Sequence, residues 1–309
     1  MIGYACKYMD INMNKEHISN MNFKTSTIKY LNKIDNQERK LLSLVTHNLN
    51  ALENQILYVK SLNKELHMMR IGSDILPFFT HNDFSYFYKQ DIIKNLIEIK
   101  LKEIGKLANG IRLSFHPGQF TVLASDRDDV IINSIKEIEY HTYIAKCLNY
   151  TDRSKMKINI HLSGKLGINK FKESFNSLSI LSKNLLTVEN TEYKYGLDEV
   201  LELSELLPIV FDIHHDFVFS EKYINISDNR INKIIKSWNG VKPVMHYSQP
   251  KITDTLKKKD LRKHSDYYLD NKVNDYVFKN FYNNFDIMCE SKCKNLASID
   301  LFNYLNKVI

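Results

Sequence analysis

The sequence predicts an α/β protein of the TIM-barrel type, a single-domain (β/α)8 barrel over residues 1–309. Three observations lead there. Eight short apolar runs, near residues 2, 69, 112, 158, 186, 209, 243 and 286, are each followed by a segment with helical spacing. At least six of these runs end in His, Asp or Glu, and in a barrel such strand ends converge on one mouth. No shift in composition marks a domain boundary, and a doubly wound open sheet would not gather strand ends from all round one face.

Met1 to Cys6 reads as the first strand, and the polar, Asn-rich stretch to about Asn32 as loop. From Asp35 to about Asn63, Leu41, Leu42, Val45, Leu49, Leu52, Ile56, Val59 and Leu62 recur every three or four residues, the spacing of an amphipathic helix. Strands follow at Met68–Ser73, Ile111–His116, Ile158–Leu162, Leu185–Glu189, Ile209–Ile213, Val241–Tyr247 and Ile287–Glu290. Helices are expected near Ile92–Leu107, Val130–Leu148, Lys170–Leu181, Leu197–Leu206, Arg230–Ser237, Asn274–Phe281 and Ala297–Asn306, the first of them ended by Asn109-Gly110.

Composition narrows the function classes. With 43% hydrophobic residues the chain can bury a large core, and nine glycines and five prolines are too few for long flexible linkers. The formal net charge of +7 permits a polyanionic partner without requiring one. The four cysteines are scattered, which favours reduced thiols. No run reaches the roughly 18 to 20 apolar residues of a membrane span, and no signal peptide opens the chain, so a soluble intracellular protein of cytoplasm or nucleus is expected.

The chemistry sits at the strand ends. Val210-Phe211-Asp212-Ile213-His214-His215-Asp216 is an apolar run that abruptly presents a carboxylate and two imidazoles. Phe115-His116, Ile160-His161, Val188-Glu189, Met245-His246 and Cys289-Glu290 repeat the pattern, and His264 lies on the loop after the seventh strand. So many carboxylates and imidazoles at one mouth require cations or dense hydrogen bonding, because burying like charges together is costly. Mixed His and carboxylate ligation suits Zn2+, Mn2+ or Fe2+. A polynuclear phosphodiesterase and a metal-dependent sugar isomerase both remain open at this point.

Longer motifs add a resemblance. Gly3-Tyr4, Asn48-Leu49-Asn50-Ala51-Leu52, Arg70-Ile71-Gly72-Ser73-Asp74-Ile75-Leu76-Pro77, His116-Pro117-Gly118-Gln119-Phe120 and His161-Leu162-Ser163-Gly164 occur in that order. Glu189-Asn190, Asp212-Ile213-His214-His215, His246-Tyr247-Ser248, His264-Ser265-Asp266 and Glu290-Ser291-Lys292 follow. Together they resemble the UV damage endonucleases, relatives of endonuclease IV, over nearly the whole chain. The resemblance implies incision of DNA immediately 5′ to cyclobutane pyrimidine dimers and 6-4 photoproducts, leaving a 3′-hydroxyl and a 5′-phosphate. It also implies two or three divalent ions, most often Mn2+, with Zn2+ or Mg2+ as alternatives. The matching ligands are His116, His161, Glu189, Asp212, His215, His246, His264 and Glu290, of which Glu189, His246 and Glu290 are the catalytic assignments. The family's D-x-x-H spacing selects His215 over His214, which keeps a supporting role.

In the family a Gln and an aromatic probe the duplex where the damaged pair leaves the stack; here they are Gln119 and Phe120. An apolar wedge can fill such a gap, and an already distorted step costs less to open. Tyr4 is a candidate for stacking on the flipped lesion. Phe120 replaces the usual Tyr, Tyr8 stands where relatives carry Asn, and Val244 where many carry Lys. Lys257, Lys258, Lys259 and Arg262, on the loop after the seventh strand, are expected to contact DNA phosphates. Lys155 and Lys157 precede the fourth strand and are expected on the opposite face. The expected partner is damaged double-stranded DNA, met by a monomer with no membrane attachment.

Overall fold

The computed structural model describes residues 1–251 and 257–308. Strand β1 (Ile2–Ala5) runs into helices α1 (Lys15–Met21), α2 (Ile28–Leu31) and the long α3 (Gln37–Ser61). β2 (Met68–Arg70), α4 (Asp91–Leu107), β3 (Arg112–Phe115), α5 (Asp128–Cys147) and β4 (Met156–His161) come next. They are followed by α6 (Gly167–Asn176), α7 (Ile180–Leu185), β5 (Leu186–Glu189), α8 (Leu197–Leu201), β6 (Ile209–Asp212), α9 (Ile213–Ser220) and α10 (Asn229–Ser237). β7 (Val244–Tyr247), α11 (Lys258–Leu261), α12 (Asn271–Phe281), β8 (Asp286–Cys289) and α13 (Lys294–Val308) complete the chain. The eight strands pair in parallel in chain order, and β8 pairs back to β1 through Tyr4 and Cys289, so the sheet is a closed barrel.

Strand parity decides what lies inside. Side chains alternate along a strand, and contacts between non-neighbouring strands can only cross the interior. Arg112 of β3 meets Asp286 of β8 at 2.7 Å, while Arg70 of β2 and Lys157 of β4 both reach His246 of β7. Ala5, Met68, Val210, Val244 and Met288 form an apolar cluster with Trp238. Val210 and Val244 stand two residues before Asp212 and His246, so this cluster supports the layer of polar side chains that follows. The alternate residues, such as Ile158, Ile160, Val188 and Phe211, belong to the large core shared with the helices.

Four sequence expectations need correction. The stretch before Asn32 contains α1 and α2, because Asn14 and Thr27 serve as N-caps whose side chains accept from His17 N and Tyr30 N. The helix expected over Lys170–Leu181 is two helices, the second opened by a Ser179 cap. Strand six stops at Asp212, and Ile213 begins α9. Lys157 lies within β4, not before it, and is buried at 2% exposure, whereas Lys155 precedes the strand and is exposed. All four cysteines are free thiols. Among the described residues no helix is long and apolar enough to cross a membrane.

Candidate metal centre

Glu189, the last residue of β5 and 1% exposed, sits at the middle of the barrel mouth. Its Oε1 lies 3.0 Å from His116 Nε2 and 2.6 Å from His161 Nε2, and its Oε2 lies 2.5 Å from His246 Nδ1. Asn159, two residues before His161 on the inward face of β4, donates to Oε2 at 2.8 Å and fixes the carboxylate's rotation. One carboxylate thus addresses imidazoles from both sides, the arrangement expected of a residue shared between ions.

His246 Nδ1 also lies 3.4 Å from Glu290 Oε1 and 3.8 Å from Asp212 Oδ2. On the far side of the ring, Nε2 faces Arg70 Nη2 at 2.9 Å and Lys157 Nζ at 3.4 Å. A guanidinium can only donate, so as Nε2 accepts from Arg70 the ring proton lies on Nδ1, toward Glu189 Oε2; ligation through Nδ1 would require that proton to move to Nε2. Arg70 Nη2 also approaches Glu290 Oε1 at 2.6 Å and offsets its charge.

The D-x-x-H spacing has a structural cause. Asp212 ends β6 and caps α9, its Oδ1 accepting from His215 N at 2.8 Å. The first helical turn then brings His215 back over Asp212, with His215 Nδ1 3.6 Å from Asp212 Oδ2 and 3.0 Å from the Asn190 carbonyl. A proton on Nδ1 directed at that carbonyl leaves the Nε2 lone pair for a metal. His214 turns the other way and packs 5.0 Å from the His264 ring. His264 is held by an isolated bridge to Pro250, and its Nδ1 is buried with no hydrogen-bond partner.

Among the described residues, three groups have ligand atoms within 4.8 Å of one another: His116, His161 and Glu189; His116, His246 and Glu290; and Glu189, Asp212 and His246. The donor set is nitrogen and carboxylate oxygen, suited to Zn2+, Mn2+ or Fe2+. Buried His246 Nδ1 and Glu290 Oε1 meet only charged partners, Glu189 Oε2 at 2.5 Å and Arg70 Nη2 at 2.6 Å, with no hydrogen bond of regular geometry. The residues therefore fit a divalent metal centre. His215 and His264 line the same cavity of about 420 Å³, together with Arg70, Gln119, Glu192 and Arg262.

Charge distribution fits the same reading. Burial alone would raise Glu189, but the imidazoles of His246, His161 and His116 outweigh it and hold the carboxyl well below its usual range. Burial drives His246 down to about 3, assisted by Arg70 and Lys157. Burial also pushes Asp212 up to about 7. For His215 burial is overcome by Asp212, Glu189, Glu192 and Glu290, which raise the imidazole to about 9.

The sequence matches the model of the UV-endonuclease UvdE family over residues 1–308. The chain belongs to this family. A UV DNA damage endonuclease from Clostridium perfringens (strain 13 / Type A) is 31% identical over 99% of this chain and 71% of its own length. One from Bacillus mycoides (strain KBAB4) is 30% identical over 92% of this chain and 90% of its own. The crystal structure of SacUVDE superposes with a TM-score of 0.79 at 24% identity, covering 99% of this chain and 98% of that one. Endonuclease IV from Thermus thermophilus shares the fold with a TM-score of 0.56 at 12% identity over 83% of this chain and 94% of its own.

Set within the UvdE family, the remaining expected site residues separate into groups. Thr121 N donates to the Gly118 carbonyl at 2.9 Å and closes a turn with Gln119-Phe120 at its tip. Phe120 is 83% exposed, and Gln119 lines the same cavity as the candidate ligands. Tyr4 is different. Parity places it with Ile2 on the helix-facing side of β1, 1% exposed and edge-on to Tyr58 of α3, so it offers no face for stacking in this conformation. Tyr8 packs against Tyr58 and His17. Lys257, Lys258 and Lys259 are exposed, with Lys258 Nζ donating to the Phe219 carbonyl at 3.2 Å. Arg262 is already engaged, its Nε donating to Glu192 Oε1 at 2.6 Å and its guanidinium 3.9 Å from the Tyr193 ring centre.

Arg70, Asn159, Lys157 and Glu192 were not among the expected site residues. For two of them a signal was present: Lys157, Asn159 and His161 alternate with Met156, Ile158 and Ile160, so all three must share the inward face. Val244 is buried in the interior apolar cluster, and Lys157 brings an amine into the same interior from β4. Asn48, from the sequence motifs, is structural. Its side chain accepts from Lys24 N and donates to the carbonyls of Lys24, Asp74 and Ile75, tying α3 to the loop after β2.

Proposed function

We propose that this protein is a DNA repair endonuclease that hydrolyses the phosphodiester immediately 5′ to cyclobutane pyrimidine dimers and 6-4 photoproducts, leaving a 3′-hydroxyl and a 5′-phosphate. Residues 1–309 act as one catalytic domain on damaged duplex DNA, as a monomer. The observation that carries the reading is the shared carboxylate: Glu189 lies within 3.0 Å of imidazole nitrogens from His116, His161 and His246.

His116, His161, Glu189, Asp212, His215, His246, His264 and Glu290 would hold two or three divalent ions, Mn2+ first, with Zn2+ or Mg2+ as alternatives. Such ions, when bound, lower the pKa of water and stabilise charge on the leaving oxygen. The protein's own contribution is preorganisation. Asn159 orients Glu189, Arg70 balances Glu290, and the apolar cluster supporting Asp212 and His246 keeps their layer rigid. Glu189, His246 and Glu290 bear most directly on the reacting phosphate. Gln119 and Phe120, at an exposed tip beside the cavity, are suited to enter the gap left by a displaced dinucleotide. Lys257, Lys258 and Lys259, exposed on the loop after β7, would take backbone phosphates.

Mapping the cut on an end-labelled duplex with one thymine dimer tests the position. A single incision abutting the 5′ side of the dimer, with a 3′ end that primes a polymerase, is expected. Cutting of undamaged duplex at the same rate would overturn the damage-specific reading.

A further inference from the structure

Glu192 lies three residues beyond the end of β5, in the wall of the metal cavity, and its side chain is only 12% exposed. Its two oxygens face different groups. Oε1 takes Arg262, with Nε and Nη2 both at 2.6 Å. Oε2 faces His215, 3.6 Å from Nε2.

Arginine–carboxylate pairs are frequently bidentate, with the fork engaging both oxygens in parallel. Here the fork converges on one oxygen, and the other is directed into the metal centre. The His215 side of the contact is equally specific. Its Nδ1 is occupied by the Asn190 carbonyl at 3.0 Å, so the nitrogen opposite Glu192 is the one with a lone pair to give. Two ligand atoms with bonds of about 2.1 Å to one ion, at angles of about 100° to 120°, lie about 3.2 to 3.6 Å apart. The observed separation falls at the upper end of that range.

We propose that Glu192 is a further ligand of the metal centre, binding through Oε2 the same divalent ion as His215 Nε2. This inference rests on the metal-dependent reading above. It gives Arg262 a defined place: held through Oε1 and stacked on Tyr193, the guanidinium sits beside that ion at the edge of the mouth. Ion binding and Arg262 placement are then coupled through one carboxylate.

The test is Mn2+ binding by the full chain, followed by calorimetry and by metal content after gel filtration, with no DNA present. Glu192→Gln keeps an acceptor for Arg262 but removes the anionic ligand. It is expected to bind one Mn2+ fewer than the wild type, or to bind that ion at least tenfold more weakly. Glu192→Asp, whose carboxylate is drawn back by one methylene, is expected to show the same loss, so the result does not depend on one variant folding. Arg262→Met, which removes the pairing but leaves Glu192 charged, is expected to keep the wild-type number of ions. Unchanged Mn2+ stoichiometry and affinity in both Glu192 variants would overturn the proposal and leave the metal-dependent reading standing. A wild-type chain that binds no divalent ion would instead remove the reading on which it rests.

Discussion

Asp212 and His215 are joined by the backbone as well as by their side chains: the carboxylate that ends β6 caps α9 by accepting from His215 N at 2.8 Å. Asn is as good an N-cap as Asp, whereas Ala is worse by about 0.5–2 kcal/mol. Asp212→Asn is therefore expected to melt within a few degrees of the wild type without metal, yet to lose the extra stability that Mn2+ confers. Asp212→Ala is expected to lose the cap as well. Thermal melts with and without Mn2+ separate the two effects. Full Mn2+ stabilisation of the Asn variant would show that Asp212 is a cap and nothing more.

Protons and metal compete at His215. Its imidazole, raised to about 9 by the surrounding carboxylates against the effect of burial, is protonated below that pH in the metal-free protein. A metal requires the neutral ring, so Mn2+ affinity should rise with pH up to about 9. Between about 7 and 9 the slope should approach about tenfold per unit for one displaced proton, and below about 7 it should steepen as Asp212, raised to about 7 by burial, gives up its proton as well. Titration calorimetry in buffers of different ionisation heat reads both affinity and proton release. An affinity independent of pH between about 6 and 8 would contradict this.

Lys157 and Lys155 provide a contrast across two residues. Lys157 Nζ lies 3.4 Å from His246 Nε2 in the interior, and burial holds its amine well below the usual lysine range. Removing one partner of a buried pair usually costs stability, but His246 Nε2 keeps Arg70 Nη2 at 2.9 Å, while outer partners of metal ligands matter about 10- to 100-fold. Lys157→Met should therefore stay folded, as its thermal melt will show, and weaken Mn2+ binding. Lys155→Met should alter neither.

The exposed lysines after β7 should act through ion pairing with backbone phosphates. Changing Lys257, Lys258 and Lys259 to Ser is expected to weaken binding to irradiated duplex and flatten its salt dependence, by about 0.9 in the log–log slope for each phosphate no longer neutralised. Lys155→Ser serves as the control on the opposite face. Equal effects of the two changes would reverse the orientation assigned to DNA.

Phe120 offers a stability-neutral test of the probe. At 83% exposure its removal should cost no more than about 0.5 kcal/mol. Phe120→Ala is expected to fold normally and to lose preference for irradiated over undamaged duplex in competition binding. An unchanged preference would remove Phe120 from lesion recognition.

The barrel was legible because buried parallel strands are continuous apolar runs, and six of the eight runs here terminate in a residue type that core packing does not explain. Those six strand ends announced the mouth. What stayed hidden depended on parity and on capping. Tyr4 is one residue out of phase with the inward Gly3 and Ala5 positions, which sends its ring to α3. Lys157 is in phase with Asn159 and His161, which sends its amine inside. Asn14 and Thr27 look like loop residues for the same chemical reason that makes them good caps. Glu192 lies past the strand on irregular backbone, where no period points to it; only the positions of His215 and Arg262 reveal its two-sided contact.

Incision of an irradiated, end-labelled duplex with Mn2+ or with chelator, by the wild type and by Glu189→Gln, bears most directly on the whole reading. The wild type should cut 5′ to the photoproduct with Mn2+ and not with chelator. Glu189→Gln should keep the circular dichroism of the wild type and cut under neither condition. Incision that persists in chelator, wild-type rates from Glu189→Gln, or no incision with any divalent ion would contradict a metal-dependent repair endonuclease built around Glu189.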